Sequence, residues 1–380
     1  MFTRLQKFQG LEKESCFFWG PRQSGKSTLL KILFPKSPYY DLLLSDEFER
    51  LQRKPSLLRE ELLASKQTMP VIIDEVQKIP HLLDEIQWLI VNANIQFILC
   101  GSSARKLKRS GANLLGGRAL RYELFPLVSR EIPDFDLIRA LQQGLVPRHY
   151  LSDSVEQLHR AYIGDYLKEE IAAEALTRNV PTFARFLEAA SFSNGEVVNF
   201  LNISRECGIS GPTAKEYFQI LIDTLLAHFV EAYRKRAKRR IIQAPKFYFF
   251  DVGIANTLLK RGNIIFGSES FGRAFEHFIF QELIAHQQYS GLQYPISYWR
   301  TTSGYEVDFI LGEGEIALEV KGVSEVLGHH MKNMLAFQEE YKPKQCIIVS
   351  LDKKKRIYRN ITIYPWELFL HDLWSGSLLS

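Results

Sequence analysis

Residues 20–27 read Gly-Pro-Arg-Gln-Ser-Gly-Lys-Ser, a full match to the pattern Gly-x-x-x-x-Gly-Lys-[Ser/Thr]. The stretch follows a short apolar segment, Cys16 to Trp19, and precedes a segment of helical periodicity that begins at Ser27. Between a strand and a helix, glycines let backbone N–H groups surround phosphate oxygens, and the helix N-terminus adds its positive end. The sequence therefore predicts a phosphate-binding loop; a tight turn that happens to contain Gly and Lys is the structural alternative.

The residues of this loop divide into side-chain and backbone contributors. We expect Lys26 to reach the β and γ phosphates of a nucleotide, and Ser27 to offer its hydroxyl to Mg²⁺, which prefers oxygen ligands. Thr28 is an accessory candidate. The other contacts would come from the loop itself, namely Gly20, Pro21, Arg22, Gln23, Ser24 and Gly25. The prediction is that the loop binds ATP or GTP together with Mg²⁺.

Polar side chains follow the next two apolar segments. Val71 to Ile73 leads into Asp74, placed to hold Mg²⁺ through water, and Glu75, a candidate base for the attacking water. Phe97 to Gly101 leads into Ser102, a candidate sensor of the γ phosphate. If both segments are parallel strands, these side chains meet at the ligand-binding edge of one sheet. Solvated acids at a strand end are the alternative.

A glycine-rich turn further along the chain carries a candidate arginine. Arg118 follows Gly116 and Gly117, and an arginine supplied in cis or by a neighbouring subunit stabilises charge during phosphoryl transfer. A solvated loop arginine is an equally good interpretation.

Composition and length restrict the class of protein. The 380 residues exceed the roughly 250 to 300 at which one core stops growing, so several domains are expected. The 46% hydrophobic and 24% charged content is ordinary for globular proteins. No apolar run approaches the roughly 18 residues of a membrane span, and no secretion signal opens the chain, so we expect a cytoplasmic location and no membrane partner. The four cysteines are scattered, which indicates neither disulfides nor a zinc site.

Changes in pattern along the chain predict four segments. Residues 1–130 alternate strand and helix patterns, which favours a parallel α/β core, and residues 131–192 are amphipathic and helical, as in a lid or linker. Residues 193–263 show two short helices, a longer helix and a basic hairpin, an order typical of a winged helix. Residues 264–380 predict a second α/β unit of order αβββαβ.

Basic residues are concentrated in the third segment. From residue 194 to 250 there are nine Lys and Arg against five Asp and Glu, a surplus of four out of the chain's +5. We expect Lys215, Glu216 and Tyr217 on the groove-facing turns of a recognition helix. The predicted contacts to nucleic acid, DNA in preference, are Lys215, Arg234, Lys235, Arg236, Lys238, Arg239 and Arg240. A solvated hairpin or a protein-docking module is the alternative.

The motifs around residues 20–30, 71–80 and 101–107, together with the stretch 114–127, resemble one family. It comprises the prokaryotic, archaeal-ATPase-like AAA-type P-loop ATPases with a C-terminal domain of unknown function 4143. The resemblance covers nearly the whole chain and implies an ATPase core, a winged helix and a restriction-endonuclease-like C-terminal domain. Cys100 stands where the family usually has Thr, which leaves the geometry at Ser102 open. Leu145-Val-Pro replaces a more Gly-rich turn of the family.

The C-terminal segment contains an acid, acid, acid-x-Lys series. Glu276 lies on a predicted helix, Asp308 ends a strand, and Glu319 and Lys321 share one face of the next strand. In restriction-like nucleases such carboxylates bind Mg²⁺ or Mn²⁺ at the scissile phosphate and the lysine orients water. A retained fold with solvated acids, or a former nuclease that docks partners, explains the series equally well.

Two functions of different classes follow. The first is Mg²⁺-dependent ATP hydrolysis by a homo-oligomer, coupled to binding or processing of nucleic acid. The second is an ATP-switched signalling or scaffold protein whose nuclease-like domain is catalytically silent.

Overall fold

The computed structural model describes residues 2–103, 105, 107, 115–164, 166, 180–235 and 239–379. Its first sheet contains five strands in the order β2-β3-β4-β1-β5, all of them parallel, which confirms the predicted α/β class. The strands are β1 (Ser15–Trp19), β2 (Tyr39–Asp41), β3 (Val71–Asp74), β4 (Phe97–Gly101) and β5 (Ala119–Glu123).

Continuous apolar runs form the central strands because helices cover both faces of this sheet. Successive side chains of β1 alternate between two cores, with Phe17 in one and Cys16 and Phe18 in the other. The covering helices are α1 (Lys26–Leu33), α2 (Ser45–Arg53), α3 (Ser56–Leu63) and α4 (Leu82–Ala93).

Helices dominate the middle of the chain, as the periodicity predicted. They are α5 (Leu137–Gln143), α6 (Pro147–Tyr150), α7 (Val155–Ala161), α8 (Val180–Ser191), α9 (Phe200–Cys207), α10 (Gly211–Asp223) and α11 (Val252–Leu258). Side-chain caps begin α9, α10 and α11, where Asn199, Ser210 and Asp251 accept hydrogen bonds from the first turn. Much of the helical pattern predicted beyond α7 lies outside the described residues.

A second sheet of nine strands takes up the rest of the chain, in the order β13-β14-β12-β11-β10-β9-β7-β8-β6. Its strands are β6 (Glu196–Val197), β7 (Ala227–Ala232), β8 (Lys246–Phe249), β9 (Ile296–Arg300), β10 (Glu306–Leu311), β11 (Ile316–Lys321), β12 (Gln345–Ser350), β13 (Arg356–Tyr358) and β14 (Ile361–Pro365).

This sheet crosses the predicted boundary between residues 263 and 264. Strand β7 pairs in parallel with β9, with Glu231 opposite Ser297 and Ala232 opposite Tyr298. The pairing satisfies backbone groups that would otherwise be exposed along the edges of two separate sheets. The third and fourth predicted segments therefore share one hydrogen-bonded layer.

Three longer helices accompany the C-terminal strands: α12 (Glu269–Tyr289), α13 (Lys332–Tyr341) and α14 (Trp366–Ser375). The order from α12 to β12 is helix, three strands, helix and strand, as predicted, whereas β13, β14 and α14 were not predicted. Phe271, Phe275 and Phe278 of α12 lie in the core beneath the sheet. Among the helices of the described residues, none has both the length and the apolar character needed to cross a membrane.

Candidate functional site

The predicted phosphate-binding loop connects β1 to α1. It turns through positive φ angles at Gln23 (63°) and Gly25 (94°). A Cβ at Gly20 would lie 2.5 Å from the carbonyl oxygen of Leu124, so this position has no room for a side chain. Lys26 is 6% exposed, and its Nζ donates to the carbonyl oxygens of Gly20 at 2.7 Å and Pro21 at 3.0 Å.

Tertiary pairing brings Ser27 and Asp74 into contact. Strands β1 and β3 both flank β4 in parallel, so their carboxyl ends lie at the same edge of the sheet. The hydroxyl of Ser27 donates to Asp74 Oδ2 at 2.6 Å, and the hydroxyl of Tyr39 donates to the same oxygen. A hydroxyl oxygen beside a buried carboxylate is a donor set that fits Mg²⁺ bound to a nucleotide.

Glu75 and Ser102 are linked by a side chain that sequence reasoning missed. Gln77 lies in a short 3₁₀ turn after β3 and is 6% exposed. Its Nε2 donates to Glu75 Oε2 and, at 3.2 Å, to Ser102 Oγ. Glu75 itself adopts φ 57°, which turns the chain immediately after Asp74. The amide of Gln77 thus orients both candidate side chains; only its position, three residues after Asp74, could have drawn attention to it.

Residues around Ser102 also connect this edge to the middle of the chain. Arg105 Nη1 lies 2.9 Å from Asp223 Oδ2 at the end of α10, and its Nη2 lies 3.7 Å from Glu216 Oε1. The side chain of Arg105 is 12% exposed. Arg118, in contrast, is exposed just before β5.

The four predicted C-terminal residues line one polar cavity of about 380 Å³. Glu276 comes from α12, Asp308 from β10, and Glu319 and Lys321 from β11, where Lys321 Nζ lies 2.7 Å from Glu319 Oε1. Asp308 Oδ2 also accepts a hydrogen bond from the backbone N–H of Val320 at 2.8 Å.

Three further residues of this cavity region were not predicted from the sequence: Lys246, Tyr248 and Glu306. Lys246 of β8 is 1% exposed, and its Nζ lies 3.0 Å from Glu276 Oε1, 2.9 Å from Glu306 Oε1 and 3.7 Å from Asp308 Oδ1. The hydroxyl of Tyr248 donates to Glu276 Oε1 at 2.6 Å. Lys246 lies 30 residues before Glu276 in the chain, so no local pattern indicates the contact.

Burial and mutual repulsion change the protonation of these groups. Burial, and then the charge of Asp308, raise the pKa of Glu319 to about 8. Burial by itself would lower the pKa of Lys246, but the charges of Glu276, Asp308 and Glu306 outweigh it and raise the pKa well above its usual value. The positive charges of Lys246 and Lys321 therefore offset the negative charge of the carboxylates that remain ionised.

The metal implied by the nuclease resemblance does not fit this arrangement. The ammonium of Lys246 lies beside Glu276 and Asp308, and that of Lys321 lies beside Glu319, so each carboxylate that would have to bind the ion is already next to a cation. Within the described part of the chain, no three His, Cys, Asp or Glu side chains are grouped so that they could hold a metal ion.

The predicted nucleic-acid contacts differ in exposure and in pairing. Lys215, Arg234, Lys235 and Arg240 are exposed, whereas Arg236 and Lys238 lie outside the described residues. Arg239 lies 2.8 Å from Glu340 and 3.3 Å from Glu339 of α13. Arg239 and the buried Lys246 are therefore both paired with acids of other elements.

One expectation for the recognition helix is wrong. Tyr217 is 6% exposed and packs edge-on against Phe183 and Phe186 of α8, so it does not face a groove. The helix repeat places Tyr217 on the apolar face, one turn from Ala214, which is also buried.

Three families match successive parts of the chain. A family described as AAA domain matches residues 12–133, one described as Domain of unknown function (DUF8612) matches residues 134–264, and one described as Domain of unknown function (DUF4143) matches residues 271–369.

Curated relatives align over most of the chain. Uncharacterized proteins of Mycobacterium bovis and Mycobacterium tuberculosis are each 24% identical over 296 residues, or 76% of this chain. The aligned part spans 65% of the length of these two relatives. An uncharacterized protein of Haemophilus influenzae is 22% identical over 357 residues, which covers 85% of this chain and 86% of the relative.

Solved structures show lower similarity. The Orc1 protein of Aeropyrum pernix, solved in complex with DNA, is 11% identical with a TM-score of 0.25, covering 65% of this chain and 86% of that one. The RuvB Holliday junction branch migration motor of Thermotoga maritima is 13% identical with a TM-score of 0.28, covering 66% and 88%. The family models thus match an AAA domain in the amino-terminal part of the chain and a DUF4143 domain in its carboxyl-terminal part.

Proposed function

We propose that the chain is a Mg²⁺-dependent ATPase that hydrolyses ATP at the edge of the first sheet and couples hydrolysis to binding of nucleic acid. The observation that carries the first part is the hydrogen bond of Ser27 to Asp74 beside the loop that holds Lys26. Ser27 and Asp74 would hold Mg²⁺, Lys26 would neutralise the phosphates, and Glu75 would take a proton from the attacking water. Ser102 would contact the γ phosphate.

Substitutions separate nucleotide binding from hydrolysis. Lys26→Ala removes the cation at the phosphates and should abolish binding or turnover, whereas Glu75→Gln keeps the shape of the side chain and should retain binding with kcat reduced about 10²-fold or more. Binding of a fluorescent ATP analogue and phosphate release are the measurements.

Two exposed residues provide matched controls. Lys36→Ala removes a lysine and Glu49→Gln a carboxylate on the same α/β unit but outside the loop, and both variants should behave as wild type. Wild-type turnover in Lys26→Ala or Glu75→Gln would refute the assignment of the site.

The second part of the proposal concerns residues 193–263, which we infer to act as a winged-helix unit that contacts phosphates through Lys215, Arg234, Lys235 and Arg240. Their exposure supports it. The ion pair between Arg105 and Asp223 would connect α10, which carries Lys215, to the loop after Ser102. A homo-oligomer in which the exposed Arg118 reaches a neighbouring nucleotide fits the same proposal.

Salt dependence tests the phosphate contacts. Replacing Arg234, Lys235 and Arg240 by Ala should weaken binding of labelled single-stranded, duplex or branched DNA and lower the salt slope by about two to three. A control with Lys66, Lys353 and Lys354 replaced loses the same charge from exposed positions elsewhere. Equal weakening in both triple variants would indicate only a general charge effect and contradict the proposed contact surface.

A second candidate is the ATP-switched scaffold with a catalytically silent C-terminal cavity. Lys246 among the carboxylates favours it, because the ammonium stands where a nuclease would need a metal ion. DNA-stimulated ATP hydrolysis would support the first candidate. Stoichiometric ATP binding with negligible turnover, with or without DNA, would support the second.

A further inference from the structure

The carboxylates of the C-terminal cavity are already paired with cations from the chain itself. Lys246 Nζ contacts Glu276 at 3.0 Å, Glu306 at 2.9 Å and Asp308 at 3.7 Å. The fourth carboxylate, Glu319, has Lys321 Nζ at 2.7 Å. Two ammonium groups therefore face four acidic side chains.

The position of Lys246 is set by backbone pairing. Strand β8 lies between β6 and β7, and Lys246 is opposite Val197 on one side and Val230 on the other. The side chain is 1% exposed, and its ammonium contacts three carboxylates that line the same cavity. The strand pairing thus places the ammonium within the cluster.

Charge and ligand count both oppose a divalent ion at this place. Mg²⁺ and Mn²⁺ bind through carboxylate oxygens, and affinity increases with the number of negative ligands. Here three of the carboxylates share one ammonium, and Asp308 Oδ2 is also engaged by the N–H of Val320. Arg300 Nη1 lies 3.4 Å from Glu306 Oε2 and adds a further positive charge at the rim.

We propose that the ammonium of Lys246 occupies this cluster in place of a metal ion. It excludes divalent metal ions from the site formed by Glu276, Asp308 and Glu319. Whether the cluster holds an ammonium or a metal ion then depends on this one residue. The C-terminal cavity is then lined by a metal-free cluster of charged side chains, which joins β8 to α12 and β10. The inference does not depend on the proposed ATPase activity.

Removal of Lys246 should create a metal site. The test titrates full-length protein without nucleotide with Mn²⁺ and follows free Mn²⁺ by electron paramagnetic resonance. Every variant carries Asp74→Asn, so that the edge of the first sheet contributes no carboxylate ligand at Asp74. We expect Lys246→Ala to bind Mn²⁺ about tenfold or more tightly than its parent, because the carboxylates lose their ammonium. Lys246→Arg, which keeps the charge, should show no gain.

A second pair of variants tests the proposal even if the Lys246→Ala protein does not fold. The parent and its Asp308→Asn derivative should bind Mn²⁺ equally weakly, since the parent has no metal site to lose. Tight Mn²⁺ binding by the parent that disappears in Asp308→Asn would overturn the proposal, as would a folded Lys246→Ala protein with unchanged affinity. ATP hydrolysis, measured separately in protein with Asp74 intact, reports on the proposed function alone.

Discussion

Gln77 acts through the amide group at the end of its side chain. Its amide donates to both Glu75 and Ser102, and it is packed so closely that a Cβ on Gly101 would lie 2.2 Å from its Oε1. A carboxylate that acts as a base must be held within hydrogen-bond reach of its water. Gln77 is therefore a positioning residue for the proposed base, although it would not itself touch the nucleotide.

Gln77→Ala should lower kcat for ATP hydrolysis about tenfold with a smaller effect on KM, because it removes the group that orients Glu75 and Ser102 but leaves Lys26 and the phosphate-binding loop in place. Steady-state phosphate release measures both constants. Gln52→Ala, an exposed glutamine on α2, is the control and should match wild type. An increase in KM of the same size as the decrease in kcat would show that Gln77 acts on binding instead.

The junction between α5 and α11 shows how two elements are fixed by one buried acid. Asp251 is fully buried, caps α11 through the N–H of Ile254 at 3.1 Å, and accepts from the N–H of Leu145 at 2.6 Å. The helices approach so closely that a Cβ at Gly253 would lie 2.5 Å from the carbonyl oxygen of Gln143. The Leu-Val-Pro turn that departs from the family pattern is thus held by a side chain over 100 residues away.

Asp251→Ala should lower the free energy of unfolding by about 2–4 kcal/mol, since it removes a helix cap and leaves the buried N–H of Leu145 without its acceptor. Denaturant unfolding followed by circular dichroism measures the change. Asp136→Ala, which removes the exposed cap of α5, should cost only about 1 kcal/mol. Equal losses in the two variants would contradict the role assigned to the buried N–H group.

Contacts between distant segments hold the two sheets in one molecule. Glu282 of α12 is buried and accepts from the N–H of Ser129 at 2.6 Å and from the indole N–H of Trp374 at 2.6 Å. Burial raises the pKa of Glu282 to about 7, from an ordinary value of 4.5. Between these two pH values the folded protein keeps a proton that the unfolded chain has released, so stability falls as the pH rises.

Glu282 should therefore contribute a decrease in the free energy of unfolding between pH 5 and pH 7, and Glu282→Gln, which cannot ionise, should lack this contribution. Urea unfolding at both pH values provides the comparison. The variant is expected to be less stable overall, because its amide oxygen replaces only one of the two accepting oxygens and its NH₂ group faces the other donor. Only the difference between the two pH values tests the prediction, and an unchanged difference would contradict it.

Sequence patterns were informative where function depends on consecutive residues. The loop from Gly20 to Ser27, the strand before Asp74 and the αβββαβ order all follow from local composition and periodicity. The contacts of Lys246 and Gln77 could not be predicted, because they join residues that come together only after strands have paired. A residue count of the basic segment also could not show that Lys246 and Arg239 are paired with acids.

The amino-acid sequence by itself determined the class of the first sheet, the phosphate-binding loop and the residue types of both candidate sites, since these depend on spacing along one chain. Only the tertiary structure decided that β7 joins β9 in one sheet and that Lys246 lies among Glu276, Glu306 and Asp308. The physical reason is that charge compensation and strand pairing depend on distances in space. Burial then strengthens each pairing by removing the competing water.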